Sequence, residues 1–195
     1  MKETEITVQV FESAEDIINK LSNHGFKISE EFFMIDYYFS KYSIEELKKF
    51  DYKNLLENSF LVRKVMSQSK TSTLLMYKDK IIDEYNNVIA EQKYSCNIEN
   101  LEMILKIFNS AKLTRWCELR QKSIVFTNDK TSFILQDVDG LGLFIEYEED
   151  EDMKEFNEYE KIIILSNRLK ALDLSIGNDY SCKKVLMKFK KHNSN

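Results

Sequence analysis

Proline is absent from this sequence, and glycine is nearly so: Gly25, Gly140, Gly142 and Gly177 are the whole supply. The missing proline, beside many Lys, Asn and Ile, says little about mechanism. The scarcity of glycine says more. Gly140 and Gly142 fall within one short stretch, which marks a backbone conformation that other residues resist. The three cysteines, Cys96, Cys117 and Cys182, are odd in number and show no CxxC spacing. This argues against zinc and against a disulfide framework, and makes a reducing cytoplasm the expected location. The cysteines are expected to pack as small apolar groups. His24 and His192 are the only histidines, one beside a helix-ending glycine and one in the tail, so a Ser-His-Asp set is not expected. No apolar run of about 18 residues exists, and no basic segment followed by an apolar one opens the chain, so neither a membrane span nor secretion is expected. A basic excess is lacking as well. The net charge of −5 argues against a general nucleic-acid binder.

What is present suits one domain over residues 1–195, with 153–195 as a C-terminal helical segment. The chain has 195 residues, 43% of them hydrophobic and 31% charged, enough for a core and a solvated surface. The first ten residues alternate. Glu3, Glu5, Thr7 and Gln9 make a polar face, and Ile6, Val8 and Val10 make an apolar one. Ser13 caps a helix with Asp16 at its third position, and Gly25 ends it. Phe26 to Phe39 reads as one or two strands, and Ser43 to Leu56 as a short helix and a connection. Strands follow at Phe60 to Met66, Thr73 to Lys78 and Val88 to Tyr94. A second helix begins at Asn97 to Asn100. Arg115 to Thr127 and Thr131 to Val138 form a hairpin turned by Asn128-Asp129-Lys130. Met153 to Leu172 carries a helical period, and Tyr180 to Phe189 closes with a short basic helix. Lys183, Lys184, Lys188, Lys190 and Lys191 read as a solvated helix face and a frayed tail.

The stretch from Leu135 to Glu148 organises the rest. It is the end of a strand, a tight Asp139-Gly140 turn and a second strand ending in Glu146 and Glu148. Residues two apart on a strand share a face. Glu3 and Glu5 repeat the figure at the start of the chain. Two such pairs suit one divalent-metal site if their strands meet, since carboxylate oxygens suit hard cations.

The motifs Glu3-x-Glu5, Asp36-x-Tyr38-Phe39, Leu61-Val62-Arg63, Leu75-x-Tyr77-Lys78, Arg120 and Gly140-Leu141-Gly142-x-Phe144-Ile145-Glu146-x-Glu148 occur in the order seen in the CYTH superfamily. That superfamily comprises the triphosphate tunnel metalloenzymes, among them class IV adenylyl cyclases and thiamine triphosphatases. The resemblance spans Glu3 to Glu148, with an echo at Asp179-Tyr180. It implies an α+β fold, a closed antiparallel β-barrel (tunnel) of about eight strands with flanking helices, holding a triphosphate. On the matching positions it implies Mg²⁺ or Mn²⁺ at Glu3, Glu5, Glu146 and Glu148, and phosphate binding by Arg63, Lys78 and Arg120. Arg is suited to bidentate phosphate contacts.

The chain departs from the pattern at several places. Thr7 stands where the family has the lysine tied to hydrolysis, Leu61 where it has an arginine, Glu118 where it has a lysine and Gln136 where it has an acid. Ile89, Glu91 and Lys93 take the places of an Arg-x-Glu-x-Glu figure. Lys93 and Lys122 have the strand parity to restore positive charge. Two functions follow from the resemblance. One is a metal-dependent enzyme that hydrolyses a triphosphate, free or on thiamine or a nucleoside, or cyclises ATP. The other is a weakened module that binds triphosphate or another polyanion without efficient turnover. A small triphosphate or nucleotide is the expected partner, and a homodimer is plausible for the family; no nucleic acid and no membrane partner are expected.

Overall fold

A computed structural model describes residues 2–85, 87–128 and 130–193. Among them one antiparallel sheet of nine strands curls on itself. In chain order the strands are β1 (Lys2–Glu3), β2 (Glu5–Val10), β3 (Lys27–Ser40), β4 (Phe60–Ser67), β5 (Thr71–Ile82), β6 (Val88–Asn97), β7 (Thr114–Thr127), β8 (Ser132–Val138) and β9 (Gly142–Glu148). Across the sheet they run β1-β6-β5-β4-β3-β7-β8-β9-β2. The helices are α1 (Ala14–Asn23), α2 (Ile44–Leu47), α3 (Tyr52–Glu57), α4 (Leu101–Ser110), α5 (Glu158–Lys170) and α6 (Lys184–Asn193).

Alternation along the strands sorts the side chains. Ile6, Val8, Phe133, Leu135, Ile145 and Tyr147 point to the convex face, where Ile17 and Leu21 of α1 and Leu165 and Leu169 of α5 cover them. Each fully buried side chain of this size contributes about 1.5–3 kcal/mol. The partner face of the same strands is concave and polar, as the alternation predicts. Phe108 of α4 covers Phe39 and Val62 farther round the convex side. Val185, Leu186 and Phe189 of α6 pack with Trp116, Leu119, Val138 and Phe144, so α6 closes one end of the concave side.

Local signals explain the boundaries. The Ser13 hydroxyl accepts from the Asp16 N–H at 3.1 Å and donates to its carboxylate at 2.6 Å. Gly25 ends α1 at φ +82°, in the left-handed region. The expected strand from Phe26 is a single one. The expected helix over Met153 to Leu172 is shorter than its apolar period suggests. Asn157 forms a capping box with Glu160, and the N-cap residue itself lies outside the helix, so α5 starts only at Glu158. At the β7–β8 hairpin Asp129 lies outside the described residues. The Asn128 side chain accepts from Lys130 and Thr131 N–H groups at 3.0 and 2.9 Å.

The expected closed barrel is open, and the structure shows why. The first strand is broken at Thr4. Before the break, Glu3 pairs with Glu91 of β6; after it, Glu5 to Val10 pair with β9. The Glu149 carboxylate and N–H hold the Thr4 backbone at 2.8 and 2.9 Å. From Thr7 onward the gap between β2 and β6 is filled by the C-terminal segment. Thr7 accepts from Cys182 and donates to Tyr180, both at 3.0 Å. Ser181 Oγ accepts from the Val88 N–H of β6 at 3.2 Å. A non-strand segment thus occupies the seam where two strands would have to join.

Candidate functional site

The concave face encloses a cavity lined by Arg63, Lys78, Lys80, Lys183 and Lys184 together with Glu5, Asp36, Glu91 and Glu146. The strand register brings these groups together. Asp36 of β3 is directly opposite Arg63 of β4, Lys78 of β5 opposite Lys93 of β6, and Glu5 of β2 opposite Glu148 of β9. The free volume at the centre is about 60 Å³, room for a few waters, because charged side chains fill the rest.

Most of those charges are paired. Asp36 holds Arg63 through two hydrogen bonds of 2.7 Å, a bidentate fork. Glu91 accepts from Lys78 at 2.6 Å and from Lys80 at 3.3 Å. Lys184 donates to both Gln136 and Glu146, and Gln136 Nε2 donates to Glu146 at 2.9 Å. Burial would push the Glu5 carboxyl up, but Lys78, Lys183, Lys93 and Lys184 together hold it well below the usual carboxylate range. Burial likewise lowers Lys80, against the pull of Glu91, to about 8. Lys78 is raised despite burial, by Glu5 and Glu91.

Each residue expected in the site can now be placed. Arg63 and Lys78 line the cavity. Glu5 and Glu146 do so too, while Glu3 and Glu148 lie at its margin, with side chains 41% and 56% exposed. Lys93 lies among the acids. Arg120 does not join them. On β7 the residues facing inward are Leu119 and Gln121; Arg120 lies on the other face, its side chain 54% exposed and bonded to Glu118 at 2.7 Å. One residue of strand parity thus keeps Arg120 out of the cavity. Lys122 shares that outward face and reaches Glu31 at 3.8 Å. Cys117 and Cys182 are buried as expected, but Cys96 is exposed.

Sequence reasoning missed Lys80, Lys183 and Lys184. Lys80 was findable, being two residues after Lys78 on the same strand. The other two were not, because only tertiary packing turns the start of α6 into the cavity. Lys188 is not solvated either. Its Nζ donates to the Asp139 carbonyl at 2.6 Å, and Lys191 donates to the Gly140 carbonyl at 2.7 Å. The Asp139-Gly140 turn, with Gly140 at φ +73°, is therefore clamped by α6.

The four acids expected to share a metal do not share one point. Three surround an ammonium: Lys93 Nζ lies 2.7 Å from Glu148, 2.9 Å from Glu3 and 3.5 Å from Glu5. The fourth, Glu146, faces Lys184. Among the described residues no group of three or more His, Cys, Asp or Glu is arranged to hold a metal ion. The donor set as arranged does not fit Mg²⁺ or Mn²⁺.

No protein-family model matches the chain. A Methanocaldococcus jannaschii protein named "Putative adenylate cyclase" is 24% identical over 179 residues, covering 91% of this chain and 93% of its own. This similarity over nearly both full lengths, joined to the tunnel-like sheet, supports the resemblance to the CYTH superfamily. The chain is CYTH-like. A Pyrococcus horikoshii protein superposes on this CYTH-like chain with a TM-score of 0.69 at 14% identity, covering 98% of this chain and 99% of that one. A Hippeastrum protein, named "Putative adenylyl cyclase" and described as having a dominant triphosphatase activity, gives a TM-score of 0.60 at 12% identity, covering 97% and 96%. At these identities the structural likeness carries the CYTH-like fold alone. Among the described residues no helix is long and apolar enough to cross a membrane.

Proposed function

We propose that this chain acts on a linear triphosphate, free or carried by a nucleoside or thiamine, in the concave cavity. One observation carries the reading: five cationic side chains from three separate parts of the chain converge on one enclosed space. The CYTH-like fold, and neighbours named for cyclase and triphosphatase activity, support it. Lys78, Lys80, Lys183 and Lys184 are point charges for phosphate oxygens, and Arg63 is oriented by Asp36 to offer its remaining donors. A fixed cationic set stabilises charge that moves between phosphates as a bond breaks. The ligand enters by opening the lysine–carboxylate pairs, since the free volume is small.

A second reading, binding without efficient turnover, is favoured by a specific observation. Thr7, Leu119 and Gln121 put uncharged groups on the inner wall, where a hydrolase would place further cations. Calorimetry with tripolyphosphate and ATP, run beside phosphate and pyrophosphate release assays, separates the two. Binding with release supports turnover; binding alone supports the module. Absence of binding to either compound removes both. Lys78→Met and Lys184→Met are each expected to weaken binding about tenfold, the loss of one charge-assisted contact.

A further inference from the structure

We infer that Lys93, at the margin of this cavity, takes the place of a divalent metal, so that the carboxylates around it are organised by a side-chain cation and the site binds its anion without metal. The inference rests on the triphosphate reading for its ligand, but its geometry stands apart from that reading. The register creates like-charged neighbours that an uncompensated sheet would not tolerate: Glu3 is directly opposite Glu91, and Glu5 directly opposite Glu148. Directly opposed like charges destabilise a sheet. A bound divalent ion is one remedy. This chain supplies another. Lys93 reaches all four carboxylates, Glu148 at 2.7 Å, Glu3 at 2.9 Å, Glu5 at 3.5 Å and Glu91 at 3.7 Å. It does so from the strand position where the resemblance calls for an acid, so the sequence changes a would-be ligand into a counter-ion.

The substitution is self-reinforcing. Mg²⁺ binds oxygens at about 2.0–2.1 Å, so an ion sharing the Glu3 and Glu148 oxygens would sit beside the ammonium and repel it. Lys93 is only 23% exposed, and Lys78 directly opposite closes off retreat along β6 toward β5. Expelling the ammonium would also leave it facing a second lysine.

The test is a Mn²⁺ titration of the full chain, without phosphate, read by the loss of the free Mn²⁺ paramagnetic resonance signal. Native protein and Lys93→Arg are expected to leave the signal unchanged. Lys93→Met and Lys93→Gln empty the ring of its cation and are expected to bind Mn²⁺ at least about tenfold more tightly than native, with a matching rise in melting temperature on adding Mn²⁺. Tight, stoichiometric Mn²⁺ binding by the native chain overturns the inference, whatever the variants do. So does a folded Lys93→Met or Lys93→Gln that gains no affinity. Should both neutral variants fail to fold even with Mn²⁺, the ring does not accept the ion in place of lysine, and the inference falls as well. A second arm measures tripolyphosphate affinity in EDTA and in excess Mg²⁺. A difference within about twofold is expected, and loss of binding in EDTA overturns the metal-free claim. Because the Mn²⁺ arm contains no phosphate, failure of the triphosphate reading leaves its outcome legible.

Discussion

The cavity has two unlike walls. One, built by β2, β6 and β5, presents Glu5, Glu91, Lys78 and Lys80, with Glu3, Glu148 and Lys93 at its margin, in overlapping pairs. Glu91 serves Lys78 and Lys80, and Lys93 serves four acids. The other, built by β4, β3 and β7, presents a single ion pair, Arg63–Asp36, among Tyr38, Leu119 and Gln121. The shared wall can lose one member and re-pair. The single fork cannot. The difference teaches where this fold is fragile and where it is adaptable: redundancy in charge makes a wall able to open for a ligand, and a lone buried fork holds the opposite wall still.

The largest expected effect comes from breaking the fork. Asp36 is 1% exposed, so Asp36→Ala leaves Arg63 without its partner and is expected to cost about 3 kcal/mol, read as a lowered urea midpoint at unchanged slope. Glu91→Gln, on the redundant wall, is expected to cost less than half of that, because Glu5 still faces Lys78. An equal loss at both sites would erase the distinction between the walls.

Next in size is a change at the end of the charged wall. Gln136 donates to Glu146 and accepts from Lys184. Gln136→Glu removes the donor and sets two carboxylates on one lysine. About 1–2 kcal/mol of stability is expected to go, recovered as pH falls and the pair shares a proton. Calorimetric unfolding from pH 7 to pH 5 reads this.

Lys80 gives a smaller effect with a defined pH window. Burial holds its folded value near 8, against an ordinary lysine value of about 10.4. Between the two the unfolded chain binds more protons, so this group's contribution makes stability rise with pH. The penalty is complete below pH about 8. Native protein should therefore gain on Lys80→Met as pH goes from 7 to 9.5; Lys78 and Lys93, with raised values, oppose the trend only nearer the ordinary lysine range and are common to both proteins. A constant stability difference across the window would refute the assignment. Triphosphate affinity should fall over the same window, and flatten in Lys80→Met.

The smallest effect is the sharpest check on parity. Arg120 lies outside both walls, so Arg120→Ala should change stability by no more than about 0.5 kcal/mol and leave triphosphate affinity unaltered. A tenfold loss of affinity would return Arg120 to the site.

Much of this was legible in the sequence. The alternation of Glu5, Thr7 and Gln9 with Ile6, Val8 and Val10 placed the polar face inward, and the Asp139-Gly140 turn set β8 against β9. Arg63, Lys78, Glu5 and Glu146 fall on the cavity lining, where period-two spacing and motif order agree. Arg120 was misplaced because a charge at a strand position carries no label for its face; one residue of register decides it, and the neighbours that fix that register lie on β3 and β8. Lys183 and Lys184 were invisible for another reason. Nothing local in a basic helix start distinguishes a solvated lysine from one turned into a cavity by Val185, Leu186 and Phe189 packing across the sheet. Barrel closure failed to follow from strand count, since the seam depends on a segment with no strand pattern at all.

That seam has a consequence for how the chain comes to be folded. Thr7 and Ser181, bridged across it, are 181 − 7 = 174 positions apart, so the contact is among the most non-local a chain of this length can make. Contacts of this kind close late, after the entropy of a long loop has been overcome. During synthesis the nine strands can all exist while β2 and β6 still lack their filler, and two of the four cavity lysines have not yet arrived. The complete cavity is therefore expected to form in the last step of folding. Any ligand that binds it acts as a wedge holding that step closed, and should slow global unfolding more than it speeds refolding.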